Sequence, residues 1–191
     1  MNALAGRRIA KISGTPGKTR MLNVYALGAG SREQGAGDRG HRSLLSAPRS
    51  LYLLDLPGYG YARASQTDRR AFRLLITHVL DRPRLAGVLW LLDIRREPSD
   101  DDRAMQELFA ERETPVLAAL TKSDAVARAA RAHRERELRA TLEVDEDQVI
   151  VTSAREKLGI EELREAIGGL IRKPPGDPGL APGVKLPPGP G

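Results

Sequence analysis

The chain has 191 residues, of which 40% are hydrophobic and 29% charged, a balance typical of a folded globular protein rather than a disordered one. It contains no cysteine, which excludes disulfide scaffolds, thiolate zinc sites and cysteine nucleophiles. No apolar run approaches the ~20 residues that a membrane span needs. Basic residues interrupt any apolar signal segment near the N-terminus. We therefore expect a soluble, cytoplasmic, monomeric protein with one domain and no membrane span.

Positive charge is concentrated in the first 50 residues. Nine Lys and Arg residues stand there against Glu33 and Asp38, which gives that segment a charge of +7, while the remaining 141 residues sum to −1. A basic end on a neutral body indicates an anionic partner, such as phosphate groups or RNA. The alternative, that arginine-rich loops simply keep the protein in solution, stays open.

Apolar runs predict the secondary structure in chain order. Two strands come first, Met21–Leu27 and Leu51–Asp55, and the loose stretch 28–50 between them is predicted to be an oversized hairpin loop. A helix with Ser65 or Thr67 as its cap then runs to Arg82. Beyond it, strands alternate with helices: strand Gly87–Asp93, a helix capped by Ser99 and running through Arg112, strand Pro115–Leu120, helix Ala125–Leu142, strand Gln148–Thr152 and helix Ile160–Ile171.

This order predicts an α/β fold with a mostly parallel sheet and helices on both faces. Residues 1–172 form the predicted domain, and residues 173–191, with seven Pro and five Gly, form a predicted disordered tail. Active sites in such sheets lie at the carboxyl ends of the strands. The loops that follow Asp55, Asp93, Leu120 and Thr152 are therefore the candidate site. The arginine-rich run 128–139 is predicted to be a solvated helix face.

An acidic residue ends the second strand and a glycine stands three residues later, in the run Asp55, Leu56, Pro57 and Gly58. In nucleotide triphosphatases such a carboxylate can hold Mg²⁺ through water, and the glycine amide can contact the last phosphate. The pattern is weak evidence by itself, because an ordinary turn after a strand contains the same residue types.

The run Thr121, Lys122, Ser123 and Asp124 matches a guanine-reading motif. Its aspartate can accept two hydrogen bonds from the N1 and N2 groups of guanine, a donor pair that adenine lacks, and the lysine stem can lie against the base. The alternative is a loop lysine followed by a helix-capping Asp124.

After the next strand come Thr152, Ser153 and Ala154, the place for a short loop whose backbone amide meets guanine O6. The order and spacing of the three patterns, each after an apolar strand, predict a guanine-nucleotide fold.

The run Gly14–Thr19 (GTPGKT) looks like a phosphate-binding loop but does not qualify as one. The pattern needs a glycine where Ile12 stands, and it needs a helix to follow, whereas here a strand follows. A threonine ahead of the second strand of the fold suits a first switch segment instead, where it can contact Mg²⁺ and the last phosphate.

Four segments together resemble the EngB family of bacterial GTPases, in the TrmE–Era-like group of P-loop GTPases. They are SGTPGKTR with the following LN, DLPGYGYA, LLDIR and TKSD, and the resemblance covers about residues 2 to 171. It implies binding of GTP and GDP with Mg²⁺, slow hydrolysis, and a role in assembling the large ribosomal subunit and in normal cell division and septation.

The resemblance also implies roles for particular residues. Gly17, Lys18, Thr19, Arg20 and Met21 would line the nucleotide, with Thr19 on Mg²⁺. The segment Asp55–Gly58 would face the metal and the γ-phosphate, with Asp55 acting through water. Thr121–Asp124 would read guanine and Thr152–Ala154 would close over it. Tyr59 stands where Ras-like proteins carry a water-orienting glutamine, so we expect weak intrinsic hydrolysis, assisted by a monovalent cation such as K⁺ or by the ribosome. No catalytic residue is assigned.

The main departure from the family is at the start of the chain. EngB relatives begin with a strand, a phosphate loop and a helix that ends much like Asn2-Ala3-Leu4, so we expect this sequence to begin inside that helix, without the first strand and the phosphate loop. We expect that the start site was assigned too late and that Met1 is an internal methionine of a longer protein. Two other functions remain open: a nucleotide-free module that binds rRNA or the ribosome, and a non-functional truncated relict that folds poorly.

Overall fold

A computed structural model of the chain describes residues 2–6, 8–10, 22–27, 51–58 and 66–172. The chain divides into two compact units, Met1–Tyr61 and Ala62–Gly191. The predicted loop 28–50, the tail 173–191 and the segment Gly17–Met21 lie outside the described residues. None of the helices in the described ranges has the length and apolar character that a membrane crossing requires.

The first unit contains a short helix and an antiparallel strand pair. Helix α1 spans Asn2–Ala5, and the Asn2 side chain hydrogen-bonds the backbone of Ile9 and Ala10. Strands β1 (Asn23–Leu27) and β2 (Leu51–Asp55) pair antiparallel, with Asn23 opposite Asp55. The two strands therefore pair as the predicted hairpin requires, and β1 begins two residues later than expected.

The second unit alternates helices and strands, as predicted. Its elements are α2 (Gln66–Leu80), β3 (Val88–Asp93), α3 (Asp100–Glu111), β4 (Val116–Thr121), a 3₁₀ turn (Ser123–Ala125), α4 (Arg128–Leu142), a second 3₁₀ turn (Glu146–Gln148), β5 (Val149–Val151) and α5 (Ile160–Arg172).

Strands β3, β4 and β5 form a parallel sheet in that order. Four successive residues of the central strand, Leu117 to Leu120, are buried, and because neighbouring side chains point to opposite faces, both faces of the sheet are covered. Parallel pairing places Asp93 beside Thr121 and Leu120 beside Val151, so the three loops that follow the strands leave from one edge. This arrangement confirms the predicted α/β fold class.

Packing and capping fix α3 against the sheet. Trp90 of β3 is buried and meets the Phe109 ring of α3 edge-on, with ring centroids 5.8 Å apart. Ser99 caps the helix through a capping box with Asp102, as the sequence predicts.

Several predicted boundaries shift by one to three residues, and two of these shifts have a local reason. The helix expected from Ala125 starts only at Arg128, because the chain first makes a 3₁₀ turn and Ala127 takes the N-cap position. The strand expected from Gln148 starts one residue later, because the Gln148 side chain accepts a hydrogen bond from the Asp145 backbone and closes the second 3₁₀ turn. Thr67 is inside α2 and is not its cap, and Ser65 lies outside the described residues.

Candidate functional site

The loops that follow β4 and β5 are joined through their backbones. The Thr152 N–H donates to the Leu120 carbonyl oxygen at 2.8 Å, and the Ser123 N–H donates to the Thr152 carbonyl oxygen at 3.2 Å. The structure therefore brings together the TKSD and TSA motifs, which lie about 30 residues apart in the sequence.

A side-chain hydrogen bond connects the same two loops at the predicted base reader. The Ser153 hydroxyl donates to Oδ1 of Asp124 at 2.6 Å, and its oxygen accepts from the Glu156 N–H at 3.0 Å. The hydrogen bond from the Ser153 hydroxyl lowers the pKa of Asp124, and the positive charges of Arg155 and Arg131 lower it further. Asp124 is therefore held in its ionised, acceptor-only form.

The alternative interpretation of Asp124 as a helix cap is wrong. The N-cap of α4 is Ala127, which makes no side-chain capping hydrogen bond, and Asp124 lies in the 3₁₀ turn that precedes it. Its carboxylate serves the contact between loops.

Lys122 is held by a neighbour that the motif does not contain. Its ammonium contacts Oδ2 of Asp93 at 2.9 Å, and Asp93 also accepts from Arg95 at 2.8 and 2.6 Å. Hydrogen bonds from Arg95 and then Lys122 hold the pKa of Asp93 far below its usual range. Because folding depresses this pKa, the pairing stabilises the fold at neutral pH, and we expect that contribution to be lost as acid protonates the carboxylate.

The backbone at Lys122 is unusual. It adopts a left-handed conformation (φ 63°, ψ 32°), which costs a non-glycine residue about 1 kcal/mol or more. The Thr121 hydroxyl donates to the Leu92 carbonyl oxygen at 2.9 Å, and together with Asp93 it holds the turn against β3. Such locally strained backbone is typical of functional loops.

Replacing Ser153 tests the contact between the two loops. We expect Ser153→Ala to weaken guanine-nucleotide binding about five- to tenfold, because Asp124 loses the donor that orients it. The measurement is a competition titration with a fluorescent GDP analogue.

The matched control is Ser123→Ala. Both serines are fully buried, and in the part of the chain that the structure describes no group hydrogen-bonds the Ser123 hydroxyl. Equal losses in the two variants would contradict the assigned role of Ser153.

The remaining predicted site residues are placed as follows. Asp55 ends β2 in the first unit, and Leu56, Pro57 and Gly58 continue beyond it. In the second unit, the side chains of Ser123, Thr152 and Ser153 are buried, so a nucleotide would reach these residues through their backbone, whereas Lys122 and Ala154 are exposed. Their contact with nucleotide stays a prediction.

Comparisons with known proteins give the family. A family model described as "50S ribosome-binding GTPase" matches residues 1–122. The "Probable GTP-binding protein EngB" of Gemmatimonas aurantiaca is 36% identical over 176 residues, which is 91% of this chain and 76% of that protein. The protein of the same name from Syntrophomonas wolfei is 34% identical over 173 residues, covering 90% of this chain and 79% of that one. The chain belongs to the EngB family.

A solved EngB structure supports the fold assignment. The crystal structure of a probable GTP-binding protein EngB matches with a TM-score of 0.56 and 19% identity over 63% of this chain and 76% of that one. The EngB resemblance seen in the motifs is therefore confirmed, and the fold is that of a P-loop GTPase.

Sequence reasoning missed three contacts of this EngB site. It identified the loop after Asp93 but did not predict that this carboxylate, which pairs with Arg95 at 2.6 Å, also supports Lys122. It assigned the TSA loop a backbone role and missed the Ser153 hydroxyl. It also missed Arg131, which pairs with Glu156 at 3.3 Å and so connects α4 to the TSA loop. The contact between Asp93 and Lys122 could have been predicted from position, because Asp93 ends a strand that can lie beside β4.

Proposed function

We propose that the chain is a guanine-nucleotide-binding switch that acts in assembly of the large ribosomal subunit. The observation that carries the nucleotide part is the 2.6 Å hydrogen bond between Ser153 and Asp124, which unites two separate motifs at one place. An ionised carboxylate can accept from both N1–H and N2–H₂ of guanine, whereas adenine offers no such pair. The exposed stem of Lys122 would lie against the base.

The residues present fit Mg²⁺ as a partner of the bound nucleotide. Within the residues that the structure describes, no cluster of three or more His, Asp or Glu could hold a metal ion by itself. Mg²⁺ keeps several waters and binds through one or two protein oxygens plus phosphates. Asp55, acting through water, and Thr19 would supply those oxygens, and the ion would neutralise charge on the phosphates.

The switch would be made of the two segments near the phosphates. GTP would order residues 14–20 and the loop after Asp55, and hydrolysis would release them. With Tyr59 in place of a water-orienting glutamine, hydrolysis would be slow and assisted by K⁺ or the ribosome. Cell division and septation would depend on the protein indirectly, through ribosome supply in the cytoplasm.

Nucleotide-dependent binding to the large subunit tests the proposal. We expect the full chain to sediment with purified large ribosomal subunits in the presence of a non-hydrolysable GTP analogue and to be released by GDP. The family description supports this partner. Equal sedimentation with both nucleotides and with none would contradict the switch and favour a nucleotide-independent binding module.

A further inference from the structure

Two helices of the second unit are rich in arginine, but they differ in how that charge is neutralised. In α4, Arg131 pairs with Glu156 at 3.3 Å, Arg134 with Glu97 at 2.5 Å and Arg139 with Glu146 at 3.2 Å. These arginine side chains are only 15–22% exposed. The prediction of a solvated face at 128–139 is therefore wrong for these three residues, and their charge is already neutralised within the protein.

The arginines of α2 and the turn after it are in the opposite situation. All are exposed and, among the residues that the structure describes, none forms an ion pair; they are Arg69, Arg70, Arg73, Arg82 and Arg84, hereafter the α2 arginine surface. Residues 66–84 contain two acids, Asp68 and Asp81, and Asp81 is bound at 3.2 Å by Arg112, the residue that follows α3.

The geometry of α2 presents this charge outward. Arg69 and Arg73 are one turn apart on the helix, about 6 Å along its axis, and Arg70 is adjacent to them. The buried residues Ile76, Val79 and Leu80 lie one to two turns beyond Arg73 and hold the C-terminal part of the helix against the core, whereas the three arginines stand on its exposed N-terminal part. Leu74, at 55% exposure, lies beside Arg70 and Arg73 and adds an apolar contact.

The charge is local and does not extend to the neighbouring helix. Helix α3 carries five acids against the single Arg103. Among α2, α3 and α4, exposed arginines without an ion pair are therefore most concentrated on α2 and the turn after it, and such a concentration suits an anionic partner.

We propose that the α2 arginine surface binds the phosphate backbone of RNA. Guanidinium groups present paired donors that match phosphate oxygens, and several of them within one helical turn suit a polymer of phosphates better than an isolated anion. The exposed Leu74 side chain would lie against a sugar or base. This inference deepens the ribosomal part of the proposed function by naming the surface that contacts RNA, and it does not depend on nucleotide binding.

A triple substitution tests the surface. Binding of the full chain to a fluorescently labelled RNA hairpin is measured by anisotropy over a range of NaCl concentrations. We expect Arg69→Ala/Arg70→Ala/Arg73→Ala to bind on the order of 30-fold more weakly and to reduce the slope of log affinity against log salt by about 2, because three phosphate contacts are lost. The melting temperature and GDP affinity should not change, since the three side chains are exposed and outside the nucleotide loops.

The charge-matched control is Arg103→Ala/Arg128→Ala/Arg136→Ala. These arginines are also exposed and take part in no ion pair within the described ranges. Near-normal RNA binding by this control, with loss in the α2 variant, supports the proposal.

Three results would overturn it: unchanged binding in the α2 variant, an equal loss in the control, or binding of the unsubstituted chain to phosphatidylserine vesicles but not to RNA. Failure of the unsubstituted chain to bind GDP would instead contradict the nucleotide part of the proposed function and leave the RNA result standing.

Discussion

Asp124→Asn is expected to exchange guanine preference for xanthine preference. The asparagine amide would place a donor against the N2 amino group of guanine, where the carboxylate accepted a hydrogen bond. Hydrogen bonds to a charged group contribute about 1.5–3 kcal/mol each; one such bond is lost, two donors then face each other unpaired, and the bond to N1–H is weakened by loss of the charge, so GDP binding weakens by roughly 10²- to 10⁴-fold. Xanthine carries an oxygen at position 2, which accepts from the new amide, so xanthosine diphosphate should bind better than GDP.

The measurement is a competition titration with GDP and xanthosine diphosphate on both proteins. Asp147→Asn is the matched control, because Asp147 is an exposed residue of the second 3₁₀ turn and outside the nucleotide loops. It should leave both affinities unchanged. If Asp124→Asn keeps its guanine preference, Asp124 is not the base reader.

Gly159→Ala is expected to be the most destabilising glycine-to-alanine substitution near the candidate site. Gly159 has a left-handed backbone (φ +66°), and a Cβ there would lie 2.2 Å from the Val151 carbonyl oxygen. The backbone must therefore move at the end of β5, where Thr152 and Ser153 follow. We expect a loss of about 2–4 kcal/mol in unfolding free energy, measured by urea denaturation, together with weaker GDP binding.

Gly169→Ala gives the opposite expectation from the same chemical change. Gly169 lies inside α5, and a Cβ added there would meet nothing within 4 Å. Alanine favours helix, so this variant should gain about 0.5–1 kcal/mol. Similar stability changes in the two variants would show that the backbone at Gly159 does not impose the constraint described.

Local sequence was sufficient for the elements and for the prediction that the TKSD and TSA motifs follow neighbouring strands. Continuous apolar runs located β3, β4 and β5, and the rule that sites form at strand ends identified the loops after Asp93, Leu120 and Thr152. The capping of α3 was predictable from a local signal, a serine before the helix and Asp102 three positions later. These predictions depend on short-range patterns, which a single sequence contains.

The contacts that define the candidate site depend on pairing between distant segments. Asp93 supports Lys122 because β3 and β4 pair with Asp93 beside Thr121, a register that the apolar pattern does not specify. The Ser153–Asp124 hydrogen bond spans 29 residues. Three arginines of α4, Arg131, Arg134 and Arg139, are neutralised by acids from other segments, so composition alone wrongly suggested that they are solvated.

We propose that the loops after β4 and β5 read guanine. The most direct test is a competition experiment on the unsubstituted chain, in which GDP, inosine diphosphate and ADP displace a fluorescent GDP analogue. Inosine lacks the N2 amino group and so removes one of the two hydrogen bonds to Asp124. We expect GDP to compete best, inosine diphosphate to compete about tenfold or more weakly, and ADP to compete least. Equal competition by GDP and ADP would contradict it.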